Sequence, residues 1–140
     1  MRKIIKITTD NRVSTHDFPE GSYSEQNEAL RGLIGEGCDL YEHVKPPRLY
    51  EEMGASRDEA SMLVDEKGRM KYLHVNQIAS WLYGVDLHGG LIVGDVLIIG
   101  EERDISGEID FCGLSEDQFN KLYPQFKSMA EISGGGADEK

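Results

Sequence analysis

Several things are scarce in this chain. It has two cysteines, one tryptophan and four prolines in 140 residues. Cys38 and Cys112 lie far apart and fit no metal-ligand spacing, so free thiols are expected and a thiolate metal centre is not. No apolar run reaches the ~18 residues that a membrane span needs. "MRKIIKITTD" opens with a basic group but has neither a long apolar core nor a small-residue cleavage site, so no signal peptide is expected there. A cytoplasmic protein is the expectation. Bases are scarce too. Fifteen Lys and Arg stand against 26 Asp and Glu, a formal charge of −11. Residues 101–140 hold ten acids and four bases, whereas residues 1–12 hold four bases and one acid. Such a surface repels nucleic acid and anionic membranes, so neither is an expected partner; it suits a basic protein surface. The plainer reading is that acidic charge keeps the chain soluble.

Catalytic signatures are missing as well. "HGGLIVGDVLIIG" (residues 88–100) is rich in glycine, but Gly94 is followed by Asp95 and a strand, and no lysine lies between Lys71 and Lys121. A phosphate loop needs a glycine turn, then Lys and Ser or Thr, then a helix; a dinucleotide fingerprint needs strand, glycine turn, helix. Neither order is present. The serine-hydrolase elbow G-x-S-x-G is absent, and Cys112 in "DFCGLS" has no patterned histidine partner. His16, His43, His74 and His88 show no ligand spacing, so no metal and no cofactor are expected. Asp65 and Glu66 read as solvated turn residues. The chain does not read as an enzyme.

What is present describes one domain over 1–132 and a flexible acidic tail, "SGGGADEK", over 133–140. "KIIKIT" and "VSTHDF" read as two strands around the turn "TDNR". "GSYSEQNEALRGLIGEG" reads as a helix capped by Ser22 or Ser24 and stopped by Gly35 and Gly37. "CDLYEHV" reads as a third strand, and 45–60 as an irregular excursion with at most a short helical turn. "SMLVDEKGRMKYL" reads as a hairpin with Gly68 at positive φ. "VNQIASWLYG" reads as a short helix capped by Asn76. "LIVGDVLIIG" (91–100) reads as a central strand entered at Leu91–Val93 and covered on both faces over Val96 to Ile99, with Gly94–Asp95 as a backbone irregularity whose carboxylate is held by backbone N–H groups. The last helix starts with a capping box, Ser115 to Gln118; Phe119, Leu122, Tyr123, Phe126 and Met129 form its stripe, and Pro124 kinks or restarts it. Hairpins between helices predict an α+β fold, a mostly antiparallel sheet packed with two or three helices.

One cluster invites a ligand. Tyr72, His74, Asn76, Gln77, Trp81 and Tyr83 crowd one short helix, with Arg69 and Lys71 nearby. Amide and aromatic side chains together can stack on and read a base. The plainer and preferred alternative is that Asn76 caps the helix and Trp81 fills the core.

The segments "VDEKGRMK" (64–71), "HVNQIASWL" (74–82) and "IVGDVLIIG" (92–100) resemble a bacterial family of unknown function found on phages, conjugative plasmids and other mobile elements. That family carries N-E-x-G-x-x-K, then P-x-N-x-x-A-x-x-L, then I-V-G-D-x-x-I-x-G. The resemblance covers roughly 28–44 and 60–127. It departs at Asp65 for Asn, at His74 for Pro, and over 45–60. Gly94 and Asp95 belong to the signature. The family supplies no catalytic residues. Some members look like anti-defence proteins, so the resemblance implies a non-enzymatic inhibitor of a host defence protein, such as a nuclease with a basic channel. Two alternatives stay open: a binder that sequesters a nucleotide immune signal through Arg69, Lys71, His74, Asn76, Gln77, Trp81 and Tyr83, and a structural or regulatory protein of the element. A homo-oligomer is compatible with each.

Overall fold

A computed structural model describes residues 2–138. Seven strands form one sheet: β1 (Lys3–Ile7), β2 (Arg12–Asp17), β3 (Tyr41–Val44), β4 (Ala60–Asp65), β5 (Val96–Arg103), β6 (Ile109–Cys112) and β7 (Gly136–Asp138). Their order is β3-β4-β5-β1-β2-β7, with β6 beside β5. Every pairing is antiparallel except β2 with β7. The five helices are α1 (Tyr23–Ile34), α2 (Pro47–Glu51), α3 (Gln77–Tyr83), α4 (Val85–His88) and α5 (Glu116–Ile132). The fold is α+β with a mostly antiparallel sheet. Beyond the two or three helices expected, α2 and α4 are single short turns of five and four residues.

Strand alternation sets up two cores. Ile5, Ile7, Met62, Val64, Val96 and Ile98 face one side, where α2, α3 and α5 cover them. Ile4, Leu63, Leu97 and Ile99 face the other, where Leu30 and Ile34 of α1 close the layer. Each such side chain contributes about 1.5–3 kcal/mol when fully buried. Double burial explains why β5 reads as a continuous apolar run and not as alternation.

α1 begins with a complete capping box: Glu25 N donates to Ser22 Oγ (3.2 Å) and Ser22 N to Glu25 Oε1 (3.0 Å). α5 has only half of one. Ser115 caps Gln118 N, but the Gln118 side chain accepts from Ser56 N at 3.0 Å instead. α5 also runs unbroken through Pro124. Leu122, Phe126 and Ala130, all fully buried, flank the missing N–H and fasten both halves to the same core.

The expected hairpin over 61–73 does not form. β4 is buried along its whole length and pairs with β3 and β5, so both its edges are taken. Residues 66–73 turn away with Met70 and Tyr72 exposed, and no apolar face remains to make a return strand. Gly68 is not at positive φ; Tyr72 is, at 56°. β5 likewise starts at Val96, and Leu91–Val93 contributes one isolated bridge, Val75 to Val93. The 45–60 excursion is ordered: Leu49, Tyr50 and Met53 are core residues. The tail expected to be free from residue 133 instead folds back as β7, parallel to β2. Its remaining residues, 139–140, lie outside the described residues.

Candidate functional site

α3 is positioned by Asn76. The side chain is fully buried. Its Oδ1 accepts from Ala79 N, and its Nδ2 donates to Ile7 O and Gly94 O, all at 3.0 Å. Its backbone N donates to Ile92 O at 2.8 Å. One residue therefore caps α3 and ties it to β1 and to the loop before β5. Ser80, unremarked in the sequence, repeats the link by donating to Ile92 O (3.1 Å) and accepting from Ile92 N (2.9 Å). Asn76 has no free polar atom left to read a ligand.

The other cluster members scatter. Trp81 does not fill the core; it is 37% exposed. The Arg48 guanidinium lies 5.0 Å from the centre of its ring, donates to Trp81 O (2.9 Å) and grips both Asp86 oxygens (2.5 and 2.8 Å). Gln77 and Trp81 share an apolar groove between α3 and α5. Lys71, Tyr72 and His74 share a different pocket, of mixed polarity, with Thr9, Ile34, Asp65 and Asp95. There Lys71 Nζ is held by Asp65 Oδ2 (2.8 Å) and Gly37 O (2.6 Å). Arg69 donates to Leu91 O, and Tyr83 packs edge-on against His88. The cations proposed for a nucleotide phosphate therefore do not line the groove that holds the tryptophan.

Asp95 is held from a distance. Thr9 N, in the β1–β2 turn, donates to its Oδ1 at 3.0 Å, and Lys6 Nζ stands 3.6 Å from Oδ2. One backbone N–H holds it, supplied by another strand pair and not by the local irregularity. Gly94 takes φ 82°, which favours glycine.

A buried charge cluster escaped the sequence. Glu101 on β5, almost wholly buried, meets Lys45 Nζ (2.5 Å), His43 Nε2 (3.1 Å) and the Ser61 hydroxyl. Ser61 and His43 also touch, at 2.7 Å. Serine, histidine and a carboxylate are thus together, but this is not a hydrolytic triad. His43 presents the same Nε2 to both partners, no acid orients its second nitrogen among the described residues, and Ser61 is fully buried. Burial by itself pushes the Glu101 carboxyl up; the hydrogen bonds from Lys45 and Ser61 outweigh it and hold the group below its ordinary value of 4.5. A carboxyl lowered in the folded state stabilises the fold above its unfolded pKa and loses that contribution as pH falls through the folded value. The stability advantage of the wild type over Glu101→Gln should therefore be largest above pH 4.5 and shrink below it, as urea unfolding at stepped pH would show. An advantage independent of pH would contradict the charge assignment.

Beyond Glu101, β5 and β6 leave the sheet as a hairpin. Residues 102–108 are all exposed. Asp104 Oδ1 organises the turn, accepting from Ser106 N (2.8 Å), Ser106 Oγ (2.6 Å) and Glu108 N (3.0 Å). Arg103 folds back to donate to Gly107 O. Glu102 lies directly across from Asp110 in the register, a like-charge pairing that opposes strand association. Ile105, at the tip, is fully exposed.

Among the described residues no group of three His, Cys, Asp or Glu side chains could hold a metal ion. Burial pushes the Cys38 and Cys112 thiols up, away from the reactive thiolate. Among the described residues no helix is long and apolar enough to cross a membrane. Comparison with protein-family models, curated proteins and solved structures finds no match for the chain.

Proposed function

We propose that this is a non-enzymatic binding protein that presents the β5–β6 hairpin to a basic surface of another protein. In the setting implied by the mobile-element resemblance, the target is a host defence protein in the bacterial cytoplasm. A nuclease with a basic channel fits, because an acidic body can occupy that channel and inhibit by exclusion. One observation carries the reading. A fully exposed isoleucine stands at the tip of a preorganised turn, surrounded in sequence by Glu102, Asp104, Glu108 and Asp110. An apolar anchor within a charged rim is the composition of a protein interface, and a fixed turn lowers the ordering cost of docking. The like-charged Glu102–Asp110 pair opposes the fold and gains from a cationic partner.

Titration of the purified protein against purified defence nucleases of a bacterial host tests this. Ile105→Asp removes an anchor worth about 1.5–3 kcal/mol, so it should weaken binding more than about tenfold. Thermal stability should hardly move, because the side chain touches solvent only.

A further inference from the structure

We propose that the outer edge of β6 accepts an extended segment of the target protein as an added antiparallel strand, and that this segment alternates basic and apolar residues. The inference rests on reading the β5–β6 hairpin as the docking element and names how it docks. Asp104 N donates to Glu108 O at 3.0 Å, so the residues that exchange ladder bonds are Asp104 with Glu108, Glu102 with Asp110 and Gly100 with Cys112. Glu101 sends its N–H the other way, to Glu59 O at 3.1 Å. By the same alternation, Ile109 and Phe111 point their backbone N–H and C=O groups away from β5. Those groups meet no hydrogen-bond partner among the described residues. A row of unpaired backbone groups is a template for one more strand.

β6 has no lysine and no proline, and its register with β5 runs from Cys112 to Ile109 without a bulge, so the common means of blunting an edge are missing. Of the other outer strands, β3 runs into Lys45, Pro46 and Pro47, and β7 is three residues long. The side chains name the occupant. Glu108 and Asp110 alternate onto one face of the strand, with Glu102 beside them on β5. Ile109 and Phe111 alternate onto the other face, both half-buried. In an antiparallel pair the residues opposite Ile109 and Phe111 exchange the backbone bonds and share their face, so those are the apolar ones. The residues between them meet the acids and are basic, because opposite charges across strands favour pairing and like charges oppose it. A second copy of β6 is excluded on the same ground, since it would bring the same acids to this edge.

The probe is a capped Lys-Val-Lys-Val-Lys peptide, titrated into the full chain and followed by backbone amide chemical shifts. A second peptide is N-methylated at both valines, which keeps charge and side chains and removes the donors that would face β6. The expected result is saturable shifts centred on the Ile109 and Phe111 amides, at least fivefold weaker binding of the methylated peptide, and no binding of Glu-Val-Glu-Val-Glu. Ile109→Pro deletes an outward N–H that bonds nothing in the fold, so it should melt near the wild type and bind the peptide at least tenfold more weakly. Should that variant not fold, the methylated peptide on the wild type decides. Equal binding of the two lysine peptides, shifts centred away from β6, or no binding at all overturns the proposal, and so does undiminished binding by a folded Ile109→Pro. Failure of the docking reading looks different: the peptide adds to β6, while wild type and Ile105→Asp bind defence nucleases alike.

Discussion

Replacing Asn76 by alanine is expected to destabilise the protein by about 3–7 kcal/mol, since it removes a cap worth about 1 and leaves two buried carbonyls short of donors at about 1–3 each. Those carbonyls belong to Ile7 and Gly94, and both bonds to Asn76 are well formed at 3.0 Å. The substitution also detaches α3 from β1, which exposes the core around Ile78 and Leu82. Set against a typical total of about 5–15 kcal/mol, the loss takes a large share of the native stability. Chemical denaturation measures it as a lower midpoint at unchanged slope. Asn76→Asp separates the two contributions. It keeps the cap acceptor and loses both donors, so it should be destabilised nearly as much as alanine. A variant within about 0.5 kcal/mol of wild type would show that the Asn76 bonds do not hold the two elements together.

Gly100→Ala should be comparably damaging for a steric reason. A Cβ at Gly100 would sit 2.4 Å from Gly113 O and 2.8 Å from Gly113 C. Both contacts are backbone, so no side chain can swing aside. Gly113 cannot retreat, because its own Cβ position lies 2.3 Å from Arg2 Cβ and 2.7 Å from Arg2 C. The end of β6 is wedged between β5 and the start of β1, where Leu114 N donates to Lys3 O at 2.8 Å. Inserting a methyl there must separate the hairpin from the sheet, at a cost of about 3 kcal/mol. Thermal unfolding tests this, with Gly35→Ala as the control: nothing lies within 4 Å of a Cβ at Gly35, and its φ of 168° suits any residue. Equal melting temperatures for the two variants would contradict the packing at Gly100. This also gives a physical reason for the last glycine of "IVGDVLIIG": it is where a neighbouring strand crosses too close for any side chain.

Elements set by local pattern were legible before the structure. The β1–β2 pair, the Ser22 and Asn76 caps, the double-faced β5 and the stripe of α5 all follow from spacing and capping chemistry within a few residues. Choices of partner were not. β4 and β5 carry the same apolar signature, and nothing local says that β4 spends its edges on β3 and β5 and not on the residues just after it. The Glu101 cluster joins positions 43, 45, 61 and 101, and the amide pair Asn11–Gln77 joins positions 11 and 77; side chains so far apart in sequence meet only through the sheet order. Trp81 lies at the surface and not in the core, because a short helix gives no sign of which face a distant helix will leave open. The hairpin tip was different. "DISGE" combines Asp and Gly in a turn between apolar-containing strands, which is a local hairpin signal.

The central claim is that the acidic β5–β6 hairpin docks on a basic protein surface. Calorimetric titration of the wild type and Ile105→Asp into a purified defence nuclease, across salt from about 50 to about 500 mM, tests it most directly, because screening shortens the reach of surface charge from more than about 10 Å to a few ångströms. The account predicts a wild-type affinity that falls steeply with salt and an Ile105→Asp affinity at least tenfold weaker at every salt concentration. Binding that ignores salt, or that Ile105→Asp leaves unchanged, would contradict it.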